Sequence, residues 1–127
     1  MLTNTVLIVD DNQAVLSALS QLLEYEVEKV IGIKSPGLIP GIIETQEVDV
    51  IIMDMNFSRG ATDGKEGITW LKRILHDDPD AVVLMITAYG EMDLAVEAMK
   101  CGASDFIAKP WDNDKLLATV RSGIMLK

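Results

Sequence analysis

The chain holds only one cysteine, Cys101, in 127 residues. That excludes an internal disulfide and any site built from several thiolates. With no thiol partner, Cys101 reads as a small, partly buried helix residue rather than a redox centre. Basic residues are also scarce: 11 Lys and Arg stand against 20 Asp and Glu, a formal charge of −9. A nucleic-acid surface needs a basic stripe to hold phosphates, so no direct nucleic-acid binding is expected. An acidic chain favours cations and basic patches on protein partners. No apolar run approaches the roughly 18 residues of a membrane span. The first residues, Met1-Leu2-Thr3-Asn4-Thr5, carry no basic region. The expected setting is cytoplasmic, without membrane contact.

What is present is enough for one core. Apolar residues make up 49% of the chain, which places it among globular domains, and its length suits a single domain over residues 1–127. Three short apolar runs stand out: Val6 to Val9, Val48 to Met53, and Ala81 to Ile86. They are near-continuous rather than alternating, which suits strands covered on both faces of a parallel sheet. Val27 to Ile33 and Asp105 to Ala108 are weaker strand candidates.

Between these runs lie segments of helical period. Ala14, Val15, Ala18, Leu19, Leu22 and Leu23 form one stripe, with Asp11 or Asn12 as its cap. Ile68, Leu71, Ile74 and Leu75 form another. Leu94, Ala95, Ala98 and Met99 form a third, closed by Gly102. Leu116, Leu117 and Val120 form the last, opened by Asp112. Ser35-Pro36 reads as a cap and first-turn proline, but Pro40 then requires that helix to start late or kink. The order βαβαβαβαβα implies a flavodoxin-like doubly wound parallel sheet in the strand order 2-1-3-4-5.

In such sheets ligands bind beyond the carboxyl ends of the strands. Those ends carry Asp10-Asp11, Asp54, Thr87 and Lys109-Pro110. Strands one and three are neighbours in this order, so three carboxylates would converge and repel unless a cation joined them. Oxygen-only ligands favour magnesium, with manganese as the alternative. Taken singly, each residue has a plainer reading: a helix cap, a solvated acid, a β-branched strand residue, a surface lysine. Their joint placement is what argues for a site poised to hold a phosphorylated molecule.

These residues sit in longer motifs: Val6-Leu-Ile-Val-Asp-Asp-Asn12, Val50-Ile-Ile-Met-Asp54, Met85-Ile-Thr-Ala-Tyr-Gly90 and Gly102-Ala-Ser-Asp-Phe-Ile-Ala-Lys-Pro110. Over essentially its whole length the sequence resembles a response-regulator receiver domain. Thr87-Ala88-Tyr89-Gly90 and the Lys-Pro-Trp ending are most similar to receivers of sigma-54-type transcriptional activators. The resemblance implies that Asp54 is the phosphoacceptor and that Asp11, Asp54 and the backbone carbonyl of Asn56 hold magnesium, with Asp10 acting through water. It implies that Lys109 pairs with Asp54 at rest and with a phosphoryl oxygen afterwards, across a cis Lys109-Pro110 peptide. Thr87 and Phe106 would be the switch pair, while Asn56 and Tyr89 would tune phosphoryl lifetime. Phe106 lacks the hydroxyl of the commoner tyrosine, and its plainer reading is core filler.

The implied partners are a sensor histidine kinase and, outside this chain, ATPase and DNA-binding output domains. A homodimer through the fourth and fifth helices is also implied. No external substrate would be turned over beyond self-phosphorylation and its reversal. Two other readings of the same sheet fit less well. An aspartate-nucleophile phosphatase wants a second Asp two residues after the first-strand nucleophile, where this chain has Asn12. A flavin carrier wants a phosphate loop that Asp10-Asp11 would repel. The stretch Met55 to Gly67 is longer than the family pattern and lacks its proline. His76, at a helix end, reads as a helix C-terminal charge.

Overall fold

The apolar runs need cover on both sides, and the chain supplies it by crossing between strands through helices. The computed structural model describes residues 4–55, 65–88 and 91–126. Strands Thr5–Val9 (β1), Lys29–Ile33 (β2), Val50–Asp54 (β3), Val83–Ala88 (β4) and Asp105–Lys109 (β5) form one parallel sheet, ordered β2-β1-β3-β4-β5. Helices Gln13–Leu23 (α1), Ile39–Thr45 (α2), Lys65–Asp77 (α3), Met92–Lys100 (α4) and Asn113–Leu126 (α5) alternate with the strands. This is the expected doubly wound fold. Among the described residues, no helix is long and apolar enough to cross a membrane.

Side chains on a strand alternate between faces, so each strand feeds two cores. Leu7, Val9, Ile51, Met53, Val83 and Met85 pack on one face against α2, α3 and α4, meeting Ile39, Leu71, Ile74 and Ala98. Val6, Ile8, Ile52, Leu84 and Ile86 pack on the other, against Leu16, Leu19 and Leu23 of α1 and Leu116 and Val120 of α5. A bidentate contact from Arg121 to Glu26, at 2.7 and 3.1 Å, ties α5 to the segment after α1.

Several boundaries differ from the sequence expectation for one reason. Val27, Val48 and Val82 are buried, yet each precedes its strand. An apolar run marks burial, whereas a strand begins where the ladder begins. In α1 the buried face is Leu16, Leu19 and Leu23, while Ala14 and Ala18 are exposed. The leucines have the larger area to remove from water, so they set the phase and rotate the alanines outward. Met99 of α4 likewise lies at the edge of its stripe and is partly exposed.

The helix ends follow local chemistry. Pro36–Leu38 forms a 3-10 turn, and α2 starts late, so that Pro40 falls in its first turn, where a missing N–H costs nothing. Gly102 adopts φ 107°, its N–H bonds to Met99 O, and Ala103 N–H bonds to Ala98 O. That pair of bonds is a Schellman stop for α4. Asp112 opens α5 by accepting from the backbone N–H of Asp114 at 2.9 Å.

Candidate metal and phosphoryl site

The carboxyl end of the sheet collects the charged residues. The backbone N–H of Asp10 donates to Ile33 O at 3.0 Å, carrying the β1 ladder one residue further. The Asp10 side chain is therefore held inside, at 0% exposure. Its Oδ1 accepts the Asn12 N–H at 2.9 Å, and its Oδ2 lies 3.4 Å from Lys109 Nζ. Burial pushes the Asp10 carboxyl above the usual range; the Asn12 N–H and Lys109 pull against this, and Asp11 adds to the rise.

Asn12 rather than Asp11 caps α1, its side-chain oxygen accepting the Ala14 N–H at 2.9 Å. The exposed Asp11 carboxylate is thereby left to the site. Asp54 closes β3, with Oδ2 3.6 Å from Lys109 Nζ. Asp10, Asp11 and Asp54 each bring a carboxylate oxygen within 4.8 Å of the others. Three hard oxygen donors converging on one point, one of them buried, suit a divalent cation such as magnesium.

Lys109 ends β5, and the Lys109–Pro110 peptide is cis. It bridges the acids rather than serving Asp54 alone, and Asp10 is its nearer partner. Thr87 is 3% exposed near the end of β4 and pairs in register with Ala108, while Met85 pairs with Phe106. The two-residue period puts Thr87 and Phe106 on one face of the sheet. Phe106 is half-buried there and packs against the core shared with α3 and α4. Asn56 and Tyr89, and the segment 56–64 beyond Asp54, lie outside the described residues. Cys101 is half-buried at the end of α4, and His76 lies exposed in the last turn of α3.

Two contacts had no sequence signal pointing to them. One is the approach of Lys109 to Asp10, which depends on how β1 and β5 end relative to each other. The other is the closeness of Gly67, in the first turn of α3, to the backbone of Met55.

The comparisons with known proteins agree with this architecture. Residues 6–121 match the response regulator receiver domain family, and the chain belongs to that family. It is 29% identical to sporulation initiation phosphotransferase F of Bacillus subtilis over 127 residues, all of this chain and 98% of that protein. It is 29% identical over 117 residues to the C4-dicarboxylate transport transcriptional regulatory protein DctD of Rhizobium meliloti, covering 92% of this chain. Only 24% of that regulator is matched, so the chain spans about a quarter of its length. Among solved structures, the N-terminal signal receiver domain of a two-component response regulator from Bacteroides fragilis superposes with a TM-score of 0.87. It is 40% identical, covering 96% of this chain and 97% of that one. Proteins of this family are signalling switches of two-component systems.

Proposed function

We propose that residues 1–127 act as one phosphorylation-driven receiver in which Asp54 accepts the phosphoryl group. The observation that carries this reading is the grouping of Asp54 with Asp10 and Asp11, within 3.6 Å of a lysine. The donor is a phosphohistidine on a sensor histidine kinase, or a small acyl phosphate. A carboxylate oxygen of Asp54 attacks phosphorus in line. The new O–P bond forms as the donor's P–N or P–O bond breaks, and the leaving group departs with that electron pair.

Asp11, Asp54 and the Asn56 carbonyl would hold the cation, Asp10 acting through water. Bound magnesium, or manganese, neutralises charge on the phosphoryl oxygens. Lys109 moves from the carboxylates to a phosphoryl oxygen, stabilising the same charge from a second side. The Thr87 hydroxyl donates to the phosphoryl group, and Phe106 turns toward the space Thr87 leaves. Asn56 and Tyr89 govern how readily water reaches the acyl phosphate. No external substrate is turned over; the reactions are self-phosphorylation and autodephosphorylation.

The readout runs through the surface of α4, β5 and α5. A cavity of about 350 Å³ beside Phe106, Trp111 and Leu116 lies on this side, and Met92 and Val96 of α4 are exposed. A coupling of about 1–3 kcal/mol between site and surface suffices for a switch. The same surface would support a homodimer through α4 and α5. The match to transcriptional regulators such as DctD supports a receiver of the sigma-54-activator type, with ATPase and DNA-binding modules outside these residues. The setting is cytoplasmic, and neither nucleic acid nor membrane is contacted directly.

The test is intact mass after incubation with magnesium and acetyl phosphate. One phosphoryl mass should be gained by the parent protein and none by Asp54→Asn. No gain in the parent, or an equal gain in the variant, removes Asp54 from its role.

A further inference from the structure

Gly67 lies in the first turn of α3, on the element that follows Asp54 in the chain, and its packing is unusual. A Cβ at this position would lie 2.6 Å from Met55 O, 2.7 Å from Met55 Cα and 2.9 Å from Met55 C. All three neighbours are backbone atoms, so no side chain can swing aside to make room. The approach is fixed by a hydrogen bond, Gly67 N–H to Met55 O at 2.8 Å. On its other side, Met55 N–H donates to Ile86 O of β4 at 3.1 Å. The Met55 side chain is 1% exposed and packed in the core shared with α3, which adds a third restraint. The peptide that follows Asp54 is thus clamped between β4 and the start of α3.

We propose that Gly67 is a positioning residue for Asp54: its missing side chain lets α3 seat directly on Met55 and so fixes where the Asp54 carboxylate stands among Asp10, Asp11 and Lys109. This rests on the reading of Asp54 as acceptor and cation ligand. Any side chain at 67 must push either α3 or Met55 outward, and Met55 is bonded directly to Asp54. A displaced acceptor would lose both cation binding and alignment for in-line attack, since reacting groups tolerate little misplacement.

Gly67→Ala is compared with Gly123→Ala in α5. At Gly123 a Cβ would meet Val82 Cγ1 at 3.3 Å and Val50 Cγ2 at 3.4 Å, at the opposite end of the sheet. Both variants should lose some stability, so loss of stability alone decides nothing. Gly67→Ala should bind magnesium about tenfold more weakly and take phosphoryl from acetyl phosphate about a hundredfold more slowly. Gly123→Ala should keep both parental values. Parental magnesium affinity in Gly67→Ala, or an equal loss in Gly123→Ala, overturns the proposal.

If Gly67→Ala does not fold, the parent protein decides. On magnesium titration followed by amide NMR, the Gly67 signal should shift with the same dissociation constant as Asp54, and an unmoved Gly67 amide overturns the inference. Magnesium affinity is read without any phosphoryl transfer. A parent that binds magnesium yet gains no phosphoryl mass would therefore refute the acceptor reading while leaving the positioning test intact.

Discussion

Asp10 is a carboxylate with no exposed surface, held between an Asn12 N–H and the Lys109 ammonium. Burial raises its pKa above the ordinary value of 3.8, so folding favours its protonated form. Its cost to stability is therefore absent at low pH and grows as pH rises through the ordinary value toward the folded one. Asp10→Asn removes that cost. Without magnesium its thermal midpoint should exceed the parent's at neutral pH. The gap should close below about pH 4, where the ordinary carboxyl is protonated. A variant no more stable than the parent at neutral pH would show that Lys109 and Asn12 fully compensate the burial. The presence of acids at strand ends was legible in the sequence, because chain order and strand order together place them. Which acid is buried was not. Asp10 and Asp11 are chemically alike, and only the extension of the β1 ladder onto Ile33 turns the first inward.

At the scale of elements, the punctuation of α4 makes the clearest case. Gly102 holds a φ that side chains rarely adopt, and a Cβ there would lie 2.7 Å from Leu75 Cδ1. Gly102→Ala should destabilise the domain by about 1–2 kcal/mol in urea unfolding, from the backbone penalty alone. No change would mean that the turn relaxes into another stop. Gly102 was readable in advance because it combines a helix end with the residue type that tolerates this turn. Pro40 was readable too, as a condition on where α2 could begin. The phase of α1 was not: Ala14 and Ala18 count as apolar in a periodicity, but they bring little area to a core, and Leu16 outweighs them. Pattern counts treat a methyl and an isobutyl group alike, while packing does not.

At the scale of the molecule, three converging carboxylates make the resting domain a poor compromise that a cation improves. A ligand that binds only the folded state raises stability by mass action, about 2.7 kcal/mol at a hundred times its dissociation constant. Magnesium should therefore raise the melting temperature of the parent protein, and EDTA should reverse the gain. Asp54→Asn should gain much less. An equal rise in that variant would move the cation away from Asp54.

Strand alternation has a consequence for how this chain can change length. Ile51 and Met53 serve one core, Ile52 serves the other, and Asp54 follows in step. One residue added inside β3 would act as a frameshift in space, sending each later side chain through the sheet to the wrong side and carrying Asp54 with it. Extra residues are tolerable only where that frame has closed. The clamp of Met55 by Gly67 and Ile86 closes it immediately after Asp54. The nine residues 56–64 lie beyond that point, between strand and helix. Growth in length there would leave the phase of β3, and with it the place of Asp54, intact.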